Sequence, residues 1–144
     1  MDLATIKPSE RTIEILHPAS ETPVGIRVSL LSIEDDRMKA IRRQITDNSL
    51  KMQAKNKAFK AEELERNQNM LMFTGTTGWE WYNPTGTEGD KGYDSDAMPD
   101  FNGEVPDYNQ KNFMAVASEL YWFSEQVQEG IGDTKAFFGN SNRS

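Results

Sequence analysis

Hydrophobic residues recur most densely between Asn112 and Phe138. Phe113, Val116, Leu120, Phe123, Val127 and Ile131 step by three or four residues, the spacing that puts side chains on one helical face. Phe137 and Phe138 close the stretch. At 3.6 residues per turn, Trp122 lies about 145° from the middle of that stripe, so one face cannot bury every aromatic. The pattern predicts core helices against which the rest of the chain packs, with a second apolar face left for a partner. Glu119-Leu120 marks a bend between a helix over 108–118 and another over 121–138. Gly130 and Gly132 weaken the second helix, and Asp133 is placed to recap a final turn ending at Phe138.

Nearer the N-terminus the period changes. Residues 1–10 hold no sustained apolar repeat and include Pro8, which predicts a flexible arm. Thr12-Ile13-Glu14-Ile15-Leu16 and Ile26-Arg27-Val28-Ser29-Leu30 alternate with a period of two and are rich in β-branched residues. The intervening His17 to Gly25 carries Pro18, Pro23 and Gly25, so 12–31 is expected to form a β-hairpin with a long connection. A lone hairpin is marginal in water, so it must lean on helices or on another chain.

Ser32-Ile33-Glu34-Asp35 follows the capping pattern and predicts a helix over 33–58. Met38, Ile41, Ile45, Met52 and Phe59 form its narrow apolar seam, the pattern of a helix packed lightly on the body or on a neighbouring subunit. A second helix is expected over 61–82, with Leu64, Leu71, Trp79 and Tyr82 inward. Gly75 and Gly78 weaken it by about 1 kcal/mol each, and either permit close approach of another backbone or break the segment. Residues 83–107 read as a long acidic loop, within which Phe101-Asn102-Gly103-Glu104 predicts a tight turn. Asp107-Tyr108-Asn109-Gln110 repeats the capping pattern and opens the core helices. The expected fold class is therefore α+β and mostly α-helical: a small N-terminal β-hairpin, then about four helices, with the acidic loop between the second and third. One domain spans 11–138, and the polar residues 139–144 form a flexible tail.

A chain of 144 residues suits a single domain with a modest core. No apolar run approaches the roughly 20 residues needed to cross a bilayer. The opening Met1-Asp2-Leu3-Ala4-Thr5 lacks the basic-then-apolar order of a secretion signal. The absence of cysteine excludes disulfides and thiolate chemistry and suits a reducing compartment. The net charge of −7 weighs against a nucleic-acid binder, but the charges are segregated. Residues 37–60 carry eight Lys/Arg against Asp47, whereas 88–133 carry eleven acids against Lys91 and Lys111. That separation suits a solvated basic helix, head-to-tail protein assembly, or phosphate contacts.

Catalytic and metal chemistry find little footing. The loop acids Asp90, Asp94, Asp96, Asp100 and Glu104 are oxygen donors, but Met98 and Pro99 fall where an EF-hand loop started at Asp94 needs a ligand and a glycine. His17 is the only histidine, and no nucleophile elbow, phosphate-binding glycine loop or His-Glu-x-x-His motif occurs. No cofactor is expected and no enzyme activity is assigned.

Several stretches in order resemble the tail assembly chaperones of long-tailed bacteriophages and prophages. They are the strand running into His17-Pro18, Gly25-Ile26-Arg27 at the second strand, and Gly78-Trp79 at the end of the second long helix. Phe101-Asn102-Gly103-Glu104, Asn112 early in a short helix, Trp122-Phe123-Ser124-Glu125-Gln126-Val127 and Phe137-Phe138 complete the set, which covers about residues 12–138. The acidic stretch around 86–100 is longer than in such proteins. The resemblance implies a non-catalytic protein of the host bacterial cytoplasm, absent from the mature virion. Such a protein binds the tape-measure protein, keeps it soluble, recruits major tail-tube subunits and self-associates as a homo-oligomer. It also implies a longer frameshifted form in many such systems. Candidate partner-binding residues are Met38, Ile41, Arg42 and Ile45 on the basic helix, together with Trp79, Trp81 and Trp122. The competing expectations are a structural tail or connector protein of the virion, and a nucleic-acid binder using the basic helix 37–60.

Overall fold

The computed structural model describes residues 1–55 and 61–138. Phe59 of the expected seam, Lys57, Lys60 and the tail from residue 139 lie outside them. The elements in order are β1 (Arg11–Leu16), β2 (Pro23–Leu30), α1 (Asp36–Ala54), α2 (Ala61–Thr74), β3 (Thr76–Trp81), α3 (Gln110–Glu119), α4 (Tyr121–Gly132) and α5 (Thr134–Phe138). Short 3-10 turns occur at Leu3–Thr5 and Ser95–Ala97. The architecture is α+β, with an antiparallel sheet in the order β1-β2-β3.

The hairpin forms as its alternation predicts. Ile13 pairs with Val28 and Glu14 with Arg27, and Ile15, Val28 and Leu30 are fully buried on the inner face. The sequence reading missed β3. The expected helix over 61–82 stops at Thr74, and Val28 pairs with Trp79 and Ile26 with Trp81 across the sheet. Gly75 sits at the break with its N–H on Leu71 O, and a Cβ there would meet Ile131 Cδ1 at 2.6 Å. Of the two alternatives posed by the glycine the break occurs, and what approaches closely is the Ile131 side chain rather than another backbone.

Helix α1 is shorter than expected, and its cap is Asp35 rather than Ser32. Asp35 accepts from the Arg37 N–H at 2.9 Å, while Ser32 Oγ is taken up by Glu34 N, outside the helix. The Arg37 guanidinium also pairs with Asp35 and holds its carboxyl below the ordinary aspartate range. A depressed folded-state pKa stabilises above the unfolded value near 3.8 and is lost as pH falls through the folded one. Asp35→Ala is therefore expected to cost about 1 kcal/mol at neutral pH. Urea denaturation at pH 7 and pH 3 should show the gap between variant and parent narrowing in acid.

The C-terminal stretch divides as its bend predicts, at Leu120, and the helix expected over 121–138 breaks at Asp133, where a separate final turn ending at Phe138 is expected, into α4 and α5. Phe113, Val116, Phe123, Val127, Ile131 and Phe137 are all buried. Helix α4 lies against β1 and β2, and Gly130 permits this: a Cβ there would meet Leu30 Cδ1 at 2.5 Å. Asn109 caps α3 by accepting from Asn112 N at 2.8 Å. Arm residue Ser9 donates from both N and Oγ to the Phe137 carbonyl, which ties the arm to α5.

Candidate functional site

The structure disperses the residues expected to bind a partner. Met38 is buried in the core, a correction to its expected surface role: it is the first inward position of α1, where the helix meets the body. Ile41 and Ile45 are half-buried, and α1 packs chiefly on α2. Arg42 turns back to donate to the Ile33 carbonyl at 3.2 Å, with its Nε buried and unpaired among the described residues. Arg43, Lys51 and Lys55 remain exposed, and no ion pair engages them among the described residues.

The tryptophans serve the interior first. Trp79 is at the centre of a ring cluster, 5.5 Å from Trp81, 5.5 Å from Tyr108, 5.9 Å from Phe113 and 6.2 Å from Phe123. Its indole N–H donates to the Pro106 carbonyl at 3.1 Å, which pins the end of the acidic segment to β3. Trp81 is half-buried with Nε1 unpaired among the described residues. Trp122, on the flank predicted for it, is half-buried against the core. Tyr108 stacks on Phe73 and donates to the Thr76 carbonyl at 2.9 Å, and burial pushes its phenol up to about 12.

The acidic segment is built of turns rather than of ligands. Asp90 Oδ2 accepts from Thr87 N at 2.8 Å, Asp94 Oδ1 from Asp96 N, and Asp100 Oδ1 from Gly103 N at 3.1 Å. The expected Asn-Gly turn forms, with Asn102 and Gly103 at φ 55° and 86° and Phe101 bridged to Glu104. Among the described residues, no group of three or more His, Asp or Glu could hold a metal ion. His17 Nδ1 accepts from the Ala19 and Ser20 amides, so the single histidine fastens the hairpin turn.

On the outer face of the sheet, Arg27 bridges Glu14 at 2.5 Å and Glu80 at 2.9 Å, and its guanidinium lies 3.9 Å over the Tyr82 ring. Desolvation and the bond to Glu14 raise the Tyr82 phenol, and the two carboxylates raise Arg27. Solvent-exposed ladders of this kind contribute little net stability.

A concavity that offers apolar contact lies between α2 and α3. It is an open groove of about 590 Å³, lined by Arg66 and Met70 from α2 and by Met114 and Ala115 from α3. Met70 follows Arg66, which follows Glu62, at intervals of four; Lys111 and Ala115 repeat that spacing opposite, as do Gln110, Met114 and Ser118. Two helical rows therefore face one another, with thioethers at the floor and Glu62, Glu65, Arg66 and Lys111 at the rim. Thioethers repack at little cost, which suits a surface that accepts varied apolar side chains. Sequence reasoning missed these residues because neither row is strongly apolar alone; only the packing of α2 on α3 makes a site. A smaller apolar pit of about 210 Å³ lies among Ile33, Leu71 and Ile131. No described helix is long and apolar enough to cross a membrane.

Comparison with family models, with curated proteins and with solved structures finds no match in any of the three.

Proposed function

We propose that this protein is a non-catalytic assembly chaperone of a long-tailed bacteriophage, acting in the host cytoplasm and left out of the finished particle. Its partner is the tape-measure protein, a long helical chain, with tail-tube subunits recruited afterwards and further copies of the chaperone along the partner. The observation that carries the reading is the α2–α3 groove: open, floored by Met70 and Met114, and rimmed by both signs of charge. An amphipathic helix laid in such a groove buries its apolar side chains at i, i+3 or i+4 and meets a charged rim. Repetition of modest contacts along one partner raises the combined affinity by avidity.

Two details of the fold bear on the reading. Gly78-Trp79, expected at a helix end, lie in β3. Tail tubes build on sheets, so a third strand beyond the expected hairpin keeps a tube or connector protein in play as the second reading. The experiment therefore has to separate the two. Size-exclusion chromatography with light scattering, run with a co-expressed tape-measure fragment from the same genome, should give a soluble stoichiometric complex. Met114→Glu should weaken that complex by about tenfold to a hundredfold while leaving the fold intact, as expected for a charge in the centre of an apolar contact. A monomer that ignores the fragment, or recovery of the protein in finished tails, would overturn the proposal.

A further inference from the structure

Strand β1 is one of the two edge strands of the sheet, paired on one side only. Its backbone shows which groups face outward. The Leu16 N–H donates to Gln126 Oε1 at 2.8 Å and the Leu16 carbonyl accepts from Gln126 Nε2 at 2.9 Å. A carboxamide thus occupies the edge as a peptide group of a neighbouring strand would. Both Leu16 backbone groups therefore point away from β2, at a residue set against Pro23 beyond a register shift that follows Glu14. The alternation of an antiparallel ladder turns the N–H and C=O of Thr12 and Glu14 the same way. The far side of β2 agrees, since the Gly25 carbonyl accepts from Tyr82 on β3, which leaves the even-numbered residues of β2 facing β1. No described side chain or further strand takes the outward groups of Thr12 and Glu14.

Beside this edge runs an open trough of about 420 Å³ between β1 and α4. Its floor is Ile13 and Gly130, where the helix approaches the sheet closely, and its wall carries Glu129 and Asp133 one helical turn apart. Asp133 is paired with Arg11 at 3.4 Å, while Glu129 is exposed. Glu14 is held by Arg27 and Asp133 by Arg11, so among the described residues Glu129 is the trough carboxylate with no cationic partner. Free strand edges recruit extended chains, and proteins usually blunt them with lysine, proline or a covering element. Here one end is blunted by Gln126 and the rest is left open beside the exposed carboxylate of Glu129 and the Arg11–Asp133 pair.

We propose that the β1 edge receives an extended segment of a partner protein with lysine or arginine at alternate positions, added to the sheet as a fourth strand. Its backbone completes the outward bonds of Thr12 and Glu14. Its alternate cationic side chains lay their aliphatic stems over Ile13 and Gly130 and reach Glu129 and Asp133. A second copy of the chain fits poorly, because two such edges brought together add a second Glu129 carboxylate and no cation to pair with the first. This site is independent of the α2–α3 groove.

The test uses the full chain and an acetylated octapeptide alternating lysine and valine, with its glutamate-valine counterpart and a version N-methylated at alternate amides. Anisotropy gives affinity, and amide chemical shifts locate the peptide. The lysine peptide should bind with shifts centred on Thr12 to Glu14, the glutamate peptide should bind at least tenfold more weakly, and N-methylation on the edge-facing side should cost a similar factor. Glu129→Lys, at an exposed position, should reverse the preference between the two peptides. Thr12→Pro should abolish binding, because it removes an outward donor at an edge where proline is tolerated. Affinity unchanged by both N-methylation and Glu129→Lys, shifts confined to the acidic segment, or a dimer of the free chain dissolved by Thr12→Pro would each overturn the proposal.

Discussion

Replacing Gly25 with alanine is expected to destabilise the protein by about 3 kcal/mol or more, which places it among the severe single substitutions. Gly25 holds φ at 98°, where an L side chain costs about 1–2 kcal/mol before any contact is counted. The Cβ would also fall 2.1 Å from the Tyr82 carbonyl oxygen and 3.0 Å from Pro84 and Pro99. The first of these is backbone and cannot rotate aside. The same glycine accepts the Tyr82 N–H at 2.8 Å, so relief of the clash means separating β2 from the end of β3. For a chain of this size the thermal midpoint should fall by about 10 °C. Gly78→Ala is the matched control: it lies in the same sheet with nothing within 4 Å of the new methyl. Urea midpoints that moved equally for the two variants would refute the argument from close approach.

The contrast between these glycines shows how far the sequence could be read. Alternation around Ile13, Ile15, Val28 and Leu30 was enough for the hairpin, because a period of two with β-branched residues admits few other structures. The three-to-four spacing from Phe113 to Ile131 was enough for the core helices, and Leu120 for their bend. β3 was missed although Thr76-Thr77-Gly78-Trp79-Glu80-Trp81 alternates, because Leu64, Leu71, Trp79 and Tyr82 also sustain an approximate helical spacing across the break. Period alone does not arbitrate between them, and Gly75 is the punctuation that does. The α1 start shifted because Ser32 and Asp35 are both competent caps, and burial of Ser32 decides between them. The candidate surfaces were less legible for a different reason. Met38 and Trp79 are apolar residues on apolar faces, and whether such a residue is core or contact depends on what lies opposite. Met70 with Met114, and β1 with α4, are pairings between segments remote in sequence, so no local pattern announces them. The Gln126 amide on Leu16 is likewise a contact across 110 positions.

Phe113→Ala should be the second severe substitution, at about 3–5 kcal/mol, the range for deleting a buried aromatic ring. Phe113 is fully buried, with ring centroids 5.5 Å from Phe73, 5.9 Å from Trp79, 6.2 Å from Tyr108 and 5.8 Å from Phe123. Those rings come from α2, β3, the end of the acidic segment and α4, so the cavity would open where four parts of the fold meet. Trp79 and Trp81 should report it directly, as loss of near-ultraviolet circular dichroism and a red-shifted emission. Tyr121→Ala, at a ring 76 % exposed in the same helical region, should change stability by less than about 0.5 kcal/mol. Phe113 and Met114 are adjacent on α3 and about 100° apart around it, Phe113 fully buried in the core and Met114 half-buried at its edge, where it lines the α2–α3 groove. Their variants should therefore separate folding from binding: Phe113→Ala lowers the urea midpoint and loses the partner as the helices loosen, whereas Met114→Glu keeps the midpoint and loses the partner alone. If Met114→Glu fell with Phe113→Ala in stability, the groove would be core rather than contact, and the partner surface would have to be sought elsewhere on the molecule.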